Sequence, residues 1–274
     1  MAKMSVRRKM AIATWQRGRE GNIYGKLSLN GTELDAYIKY KRTELGKRVT
    51  VTHVVGKAIG MALKSSPGLN GIIRRGRYVP HPEVSVAFLV ALEDGKNLAK
   101  VKVDRIDEQS IEALTDRLGN GALTLRNGDD ANFNKSMGPI KALPTFAVRW
   151  LINIVGFLTG VMGFSFKGLG LEAFPFGSCI ITSVGMMGVD EAYVPPTPFA
   201  YVPLYVLIGA FRDEPVVIDG ALAVQKRLTL TATIDHRYID GAQGAIFARR
   251  AREVLEDPWT HIEGMSGRPA DLDV

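Results

Sequence analysis

The sequence predicts a mixed α/β domain, with helices layered on one sheet. Three observations predict it. Val54, Val55, Ala58, Ile59, Ala62 and Leu63 recur at helical spacing. Val84 to Leu92 and Tyr201 to Phe211 are β-rich runs that mostly do not alternate. The two kinds of segment interleave along one chain. The 274 residues carry 46% hydrophobic and 23% charged side chains. That is a globular balance, which excludes a collagen-like or disordered chain and allows a sizeable core.

The elements follow in order. Ser5 to Arg19 is basic with scattered apolar positions and is expected to be helical. Tyr24 to Leu29 alternates as a short strand does. Asn30 or Thr32 is available to cap a helix over Glu33 to Leu45, and Thr50 caps the next one, which ends at Ser65-Ser66-Pro67-Gly68. Val84 to Leu92 is a strand closed by Glu93-Asp94-Gly95, and Leu98 to Val103 alternates as a further strand does. Ser110 to Leu118 is expected to be helical. Ile180 to Val184 is a short strand. Tyr201 to Phe211 is a strong strand ended by a turn at Arg212-Asp213-Glu214-Pro215, with Val216 to Ile218 and Asp219-Gly220 continuing a hairpin. Leu228 to Ile234 is a strand and Gln243 to Leu255 a helix.

Residues 119–176 break this rhythm and read as an apolar insertion in an otherwise single domain spanning 1–274. The first half is polar and rich in Gly and Asn. The second half is uncharged between Arg149 and Lys167. A helix over that stretch would be about 26 Å long, marginal for a bilayer core of roughly 30 Å. Gly156 and Gly160 have the small-xxx-small spacing of close-packed helices. A buried or oligomer-facing helical hairpin, a lipid or partner contact through 146–166, and a membrane span are all open at this point.

Charge and thiol content narrow the setting. Lys plus Arg number 35 and Asp plus Glu 28, a net charge of +7. Such a balance suits an anionic partner, although a merely basic surface has the same signature. No nucleic-acid-binding motif accompanies it. The single cysteine, Cys179, cannot form an internal disulfide, and four histidines make a structural zinc cage improbable, so no metal is expected. The N-terminus has no signal-like apolar run, which points to a cytoplasmic protein, with membrane association left to residues 146–166.

The segment Asp235-His236-Arg237-Tyr238-Ile239-Asp240-Gly241 carries the chemistry. A histidine lies just past a strand and just before a helix. Neutral imidazole accepts a proton near pH 7, and a base held in position contributes roughly 10²–10⁴ in rate. Gly241 would let the backbone bend. The competing reading is a histidine at a helix start, with Asp240 as the N-cap. Spacing alone does not choose between them.

This segment resembles the active-site signature of the 2-oxoacid dehydrogenase acyltransferase family, the catalytic cores of dihydrolipoyl acyltransferases, with chloramphenicol acetyltransferase as a fold relative. Ser5 to Ala11, Lys57 to Asn70, Val84 to Gly95, Ile181 to Met186 and Leu204 to Ala210 are similar to family segments in the same order. The resemblance implies a two-layer α/β sandwich, trimeric, with active sites between subunits. It implies that His236 is the general base acting on a thiol. It puts an oxyanion-donating hydroxyl at Thr182, with Ser183 beside it, and pairs Asp240 with Arg7 to fix the histidine loop. Coenzyme A is then the acyl-carrying substrate, and Arg42, Lys47, Arg74, Arg75 and Arg77 are candidates to meet its phosphates. No lipoyl or peripheral-subunit-binding module is evident, so a lipoyl group would come from another chain, and other dehydrogenase-complex subunits are possible partners. The polar segment past Trp259 favours a free homotrimer over a larger cage. The residues after Gly95 run Lys-Asn-Leu-Ala-Lys-Val-Lys-Val, where the family is apolar. That departure keeps open the alternative of a catalytically degenerate trimeric scaffold, docking a partner or membrane through the apolar insertion.

Overall fold

The computed structural model describes residues 21–92 and 97–269. The expected helix at 5–19, and Arg7 within it, lie outside the described residues. One sheet organises the chain. Its six strands are β1 (Asn22–Asn30), β4 (Val86–Leu92), β5 (Asn97–Val103), β6 (Cys179–Ser183), β7 (Leu204–Ile218) and β8 (Ala221–Asp235). They lie in the order β1-β8-β7-β6-β4-β5. β6 runs parallel to both β4 and β7, and the other pairs are antiparallel. A separate hairpin joins β2 (Gly71–Arg74) to β3 (Arg77–Pro80).

Helices α1 (Thr32–Leu45), α2 (Val51–Ser65), α3 (Ile111–Arg126) and α6 (Gly241–Glu256) supply the second layer. Alternation along each strand sends every second side chain to that layer. Val86, Phe88, Ile181, Val206, Ile208 and Leu230 accordingly meet Leu34, Val54, Val55, Ile59, Leu63 and Val254 in one core. The opposite face carries a smaller cluster of Ala87, Ile180, Ala200, Val202 and Tyr205. Thr50 caps α2 as expected, in a reciprocal box with His53.

Two expectations need correction. Arg212 to Pro215 is not a turn. β7 runs unbroken through it, Pro215 faces Val224 at a paired position, and the reversal comes at Asp219-Gly220, both at positive φ. That two-residue turn matches the twist of the strands, so the polar cluster at 212–214 simply faces water. The Gly/Asn-rich stretch after Leu118 is also helical. It continues α3 because Gly121 lies where a Cβ would crowd Val101, so the glycine serves packing.

Of the readings open for the apolar stretch, the helical hairpin is the one that the described residues adopt. It comprises α4 (Ala131–Ala142) and α5 (Thr145–Gly156), followed by a single π turn over Phe157–Val161. No helix among the described residues is long and apolar enough to cross a membrane. Gly156 and Gly160 pack against this chain's own Phe199 and Tyr201, in and just past the short 3-10 turn Pro198–Ala200, and a Cβ at 156 would collide with the Phe199 carbonyl. Val148 and Ile152 are buried with Ile140. Phe146, Trp150 and Ile154, spaced four apart on the outer side, stay exposed.

Candidate functional site

The histidine turn is built almost wholly from its own sequence. β8 ends at Asp235, and His236 follows, exposed, with its backbone N–H on the Gly21 carbonyl at 3.2 Å. The Asp235 carboxylate accepts from the Arg237 backbone N–H and from its guanidinium at 3.0 Å, which closes the turn. Ile239 is buried in the main core. The His236 Nδ1 lies 2.8 Å from the Ile239 carbonyl oxygen. A carbonyl only accepts, so Nδ1 carries the proton in this contact. In a neutral ring this tautomer leaves the lone pair on Nε2, which has no hydrogen bond among the described residues.

Asp240 is the N-cap of α6. Its carboxylate accepts from the Gln243 N–H at 3.0 Å, and the Gln243 side chain returns to the Asp240 N–H. The capping reading of Asp240 therefore describes its contacts among the described residues. Gly241 does not make the bend. It lies outside the positive-φ positions, and a Cβ there would meet nothing within 4 Å. The turn comes instead from the Asp235 bonds and the buried Ile239.

Thr182 and Ser183 end β6 and are half-buried. Neither hydroxyl makes a hydrogen bond among the described residues. Strand alternation turns them to opposite faces. Ile181 lies in the main core and Ile180 in the second cluster, so Ser183 faces the helices and Thr182 faces away from them. One chain does not bring Thr182 and His236 together. β7 lies between their strands, with Leu204 opposite Ile234 and Leu207 opposite Thr182. Five residue steps along the sheet and two strand spacings across it separate them by about 20 Å.

Cys179 is fully buried, and burial pushes its thiol well above the ordinary range, so it is no nucleophile. Two of the lysines that replace the expected apolar stretch, Lys100 and Lys102, are neutralised locally. Lys100 pairs with Glu172 and lies 5.4 Å from the Phe176 ring centre, and Lys102 pairs with Asp104 at 3.1 Å. No group of three or more His, Cys, Asp or Glu side chains arranged to hold a metal occurs among the described residues.

The sequence reading missed what supports the turn from outside. Tyr238 sends its hydroxyl to the Ile73 backbone N–H at 3.1 Å, and its ring meets Tyr78 edge-on at 6.4 Å between centroids. The β2–β3 hairpin is thus seated on the histidine loop. Arg75-Gly76 was its available signal, a two-residue turn with φ of 52° and 72°.

The chain combines a mixed six-stranded sheet, one helical layer and a histidine just past a strand end. In fold the chain is similar to a probable dihydrolipoamide acetyltransferase from Listeria monocytogenes, with a TM-score of 0.67 at 18% identity over 92% of this chain and 89% of that one. It is likewise similar to the dihydrolipoamide acetyltransferase of Azotobacter vinelandii, with a TM-score of 0.65 at 19% identity, covering 93% of this chain and 87% of that one. In sequence, residues 167–262 match the family model of the 2-oxoacid dehydrogenases acyltransferase (catalytic domain). The acetyltransferase component of the acetoin cleaving system of Bacillus subtilis is 26% identical over 215 residues, 78% of this chain but 43% of that protein. The resemblance to the acyltransferase family thus stands in both fold and sequence, and this chain spans less than half of the Bacillus relative.

Proposed function

We propose that this chain is an acyltransferase that moves an acyl group between coenzyme A and a dihydrolipoyl-type thiol carried by another chain. The Nε2 of His236 takes the proton of the attacking thiol. The thiolate attacks the thioester carbonyl carbon, and the carbon–oxygen π pair moves to oxygen. The hydroxyl of Thr182 donates to that oxyanion, a contact of a kind worth roughly 10²–10³ in rate. Collapse re-forms the carbonyl and expels the second thiolate, which recovers the proton from His236.

The separation of about 20 Å within one chain requires the threonine to come from a neighbouring copy, and a homotrimer is the assembly we assign. The β7–β8 ribbon supports self-association. Past the end of β6 it carries Val217, Ile218, Leu222 and Val224, all exposed, around a tight turn. An isolated two-stranded ribbon is marginal in water, and an apolar one calls for a covering surface. The Azotobacter acetyltransferase has been investigated for the catalytic roles of a serine, a histidine and an asparagine, the last two four residues apart. His236 and Asp240 share that spacing.

The observation that carries the reading is the Nδ1 contact to the Ile239 carbonyl, which presents Nε2 as a free acceptor. The test is thioester exchange between acetyl-coenzyme A and dihydrolipoamide. His236→Asn keeps a donor for Ile239 and removes the base, so its rate should fall about 10²–10⁴-fold. Equal rates for wild type and variant would leave the scaffold in place of the enzyme.

A further inference from the structure

Helix α5 carries two apolar faces, and among the described residues only one of them is covered. Val148, Ile152 and Gly156 are buried on the inner side, against Ile140 and Phe199. Phe146, Trp150 and Ile154, with Phe157 opening the π turn, lie on the opposite side within about 80° of arc at 3.6 residues per turn. They are 72, 70, 53 and 47% exposed. Phe164, Phe166 and Leu169 add exposed apolar side chains just after the turn. A helix that is apolar all round is ordinarily covered all round.

Charge and area indicate what covers the outer face. Residues 131–171 hold four basic side chains, Lys135, Lys141, Arg149 and Lys167, and no acidic one. Lys135 and Lys167 are exposed and make no ion pair among the described residues. A second copy laid face to face would set these cations opposite their own kind, with no carboxylate in the segment to offset them. The stripe of four side chains exposes only about 500 Å², taking ~150–250 Å² for each aromatic residue. A stable pair of copies buries about 800 Å² on each partner. A lipid surface needs no shaped complement, and an anionic one matches the charge.

We propose that the outer face of α5 is a foothold on an anionic lipid surface, with Phe146, Trp150, Ile154 and Phe157 lying flat in the boundary between headgroups and acyl chains. A helix in that position buries its apolar face roughly 5–10 Å deep and keeps its cations at the headgroups. Trp150, central in the stripe, is the residue type that prefers this depth. The stripe is about 16 Å long, so it lies on the bilayer without crossing it. The inference does not rest on the acyltransferase reading, and its readout is not thioester exchange.

The test is flotation of the intact protein with vesicles in a density gradient. Vesicles of equal parts phosphatidylcholine and phosphatidylglycerol are compared with phosphatidylcholine alone. Wild type should float with the mixed vesicles, less with the neutral ones, and less in high salt, which screens surface charge. Phe146→Ser/Trp150→Ser should lose roughly tenfold or more in partitioning for each side chain, with an unchanged melt, because both side chains are exposed in the isolated chain. Trp150→Phe should still float but lose the blue shift, and the quenching by brominated lipid, that wild type shows on mixed vesicles. That variant reports the depth of one side chain and leaves the fold intact. Failure of wild type to float, equal flotation of the double serine variant, equal flotation on neutral vesicles, or quenching that survives in Trp150→Phe each overturns the proposal. So does a double serine variant that sediments as a smaller species without lipid, since a second copy would then be what covers this face.

Discussion

His53 should make the stability of this fold depend on pH in a defined window. It is buried at the third position of α2, where its Nδ1 accepts from the Thr50 N–H at 3.0 Å. That contact requires the neutral ring. Burial first, and the Arg42 guanidinium second, hold its pKa down at about 4, against an ordinary 6.5. As pH falls, the unfolded chain takes up this proton near 6.5 and the folded chain does so only near 4. The contribution is therefore complete above pH 6.5, is lost progressively between 6.5 and 4, and levels off below. The difference corresponds to about 3 kcal/mol, or a fall in Tm of roughly 6–12 °C for a chain of this size. His53→Gln isolates the effect. Glutamine can still accept from the Thr50 N–H in the same reciprocal box, and it does not titrate. Carboxylates whose pKa is lowered against the opposing effect of burial, Asp35 by Lys226 and Asp104 by the Ser85 hydroxyl and then Lys102, weaken both proteins alike in acid. Thermal melts from pH 8 to 4 should thus show wild type falling away from His53→Gln below pH 6.5. Parallel curves would refute the argument, because no proton would then be linked to folding at this position.

Other outcomes follow from single contacts. Asp240→Ala removes the cap of α6 and should cost about 1 kcal/mol in urea denaturation, whereas Asp240→Asn should cost far less, since asparagine caps as well. Gly156→Ala forces a methyl group onto the Phe199 carbonyl and should destabilise by about 1–3 kcal/mol; a wild-type melt would mean that α5 does not pack there. Leu222→Asp, at a side chain 82% exposed in the isolated chain, should leave the monomer's stability nearly unchanged and shift sedimentation toward monomer. If the mass distribution stays that of wild type, the ribbon is not the contact between copies.

Local signals made most of the fold legible. Helical spacing placed α2 because its apolar side chains all answer to one core, and Thr50 announced its start. β4, β5 and β8 showed as β-rich runs for the same reason. The failures share a cause. Arg212-Asp213-Glu214-Pro215 has turn-like composition, but those residues lie on a ribbon beyond the body of the sheet, where polar side chains and a proline are tolerated without ending the strand. Gly119 and Gly121 look like helix breakers. Both are helical, and at Gly121 close approach to Val101 favours glycine despite its propensity, whereas Gly119 has open space around it. In both places a tertiary neighbour decided the conformation, and a local pattern does not contain the neighbour.

The site divides along the same line. Everything that prepares the imidazole is contained within a few residues: the Asp235 bonds to Arg237, the Ile239 carbonyl on Nδ1, and the Asp240 cap. A short motif can therefore specify a base, and the motif was legible without coordinates. The hydroxyl is different in kind. Thr182 belongs to the parallel strand β6, whose direction relative to β8 carries it toward the far end of the sheet. Shifting β6 along β7 would not cure this, since a slip by one residue would exchange Thr182 for Ser183 on the outward face and strip the core of Ile181. The register that builds the core is thus the register that separates the two groups. A single chain of this fold can satisfy its packing or bring His236 and Thr182 together, but not both, and so the proposed turnover stands or falls with a second copy that supplies the hydroxyl.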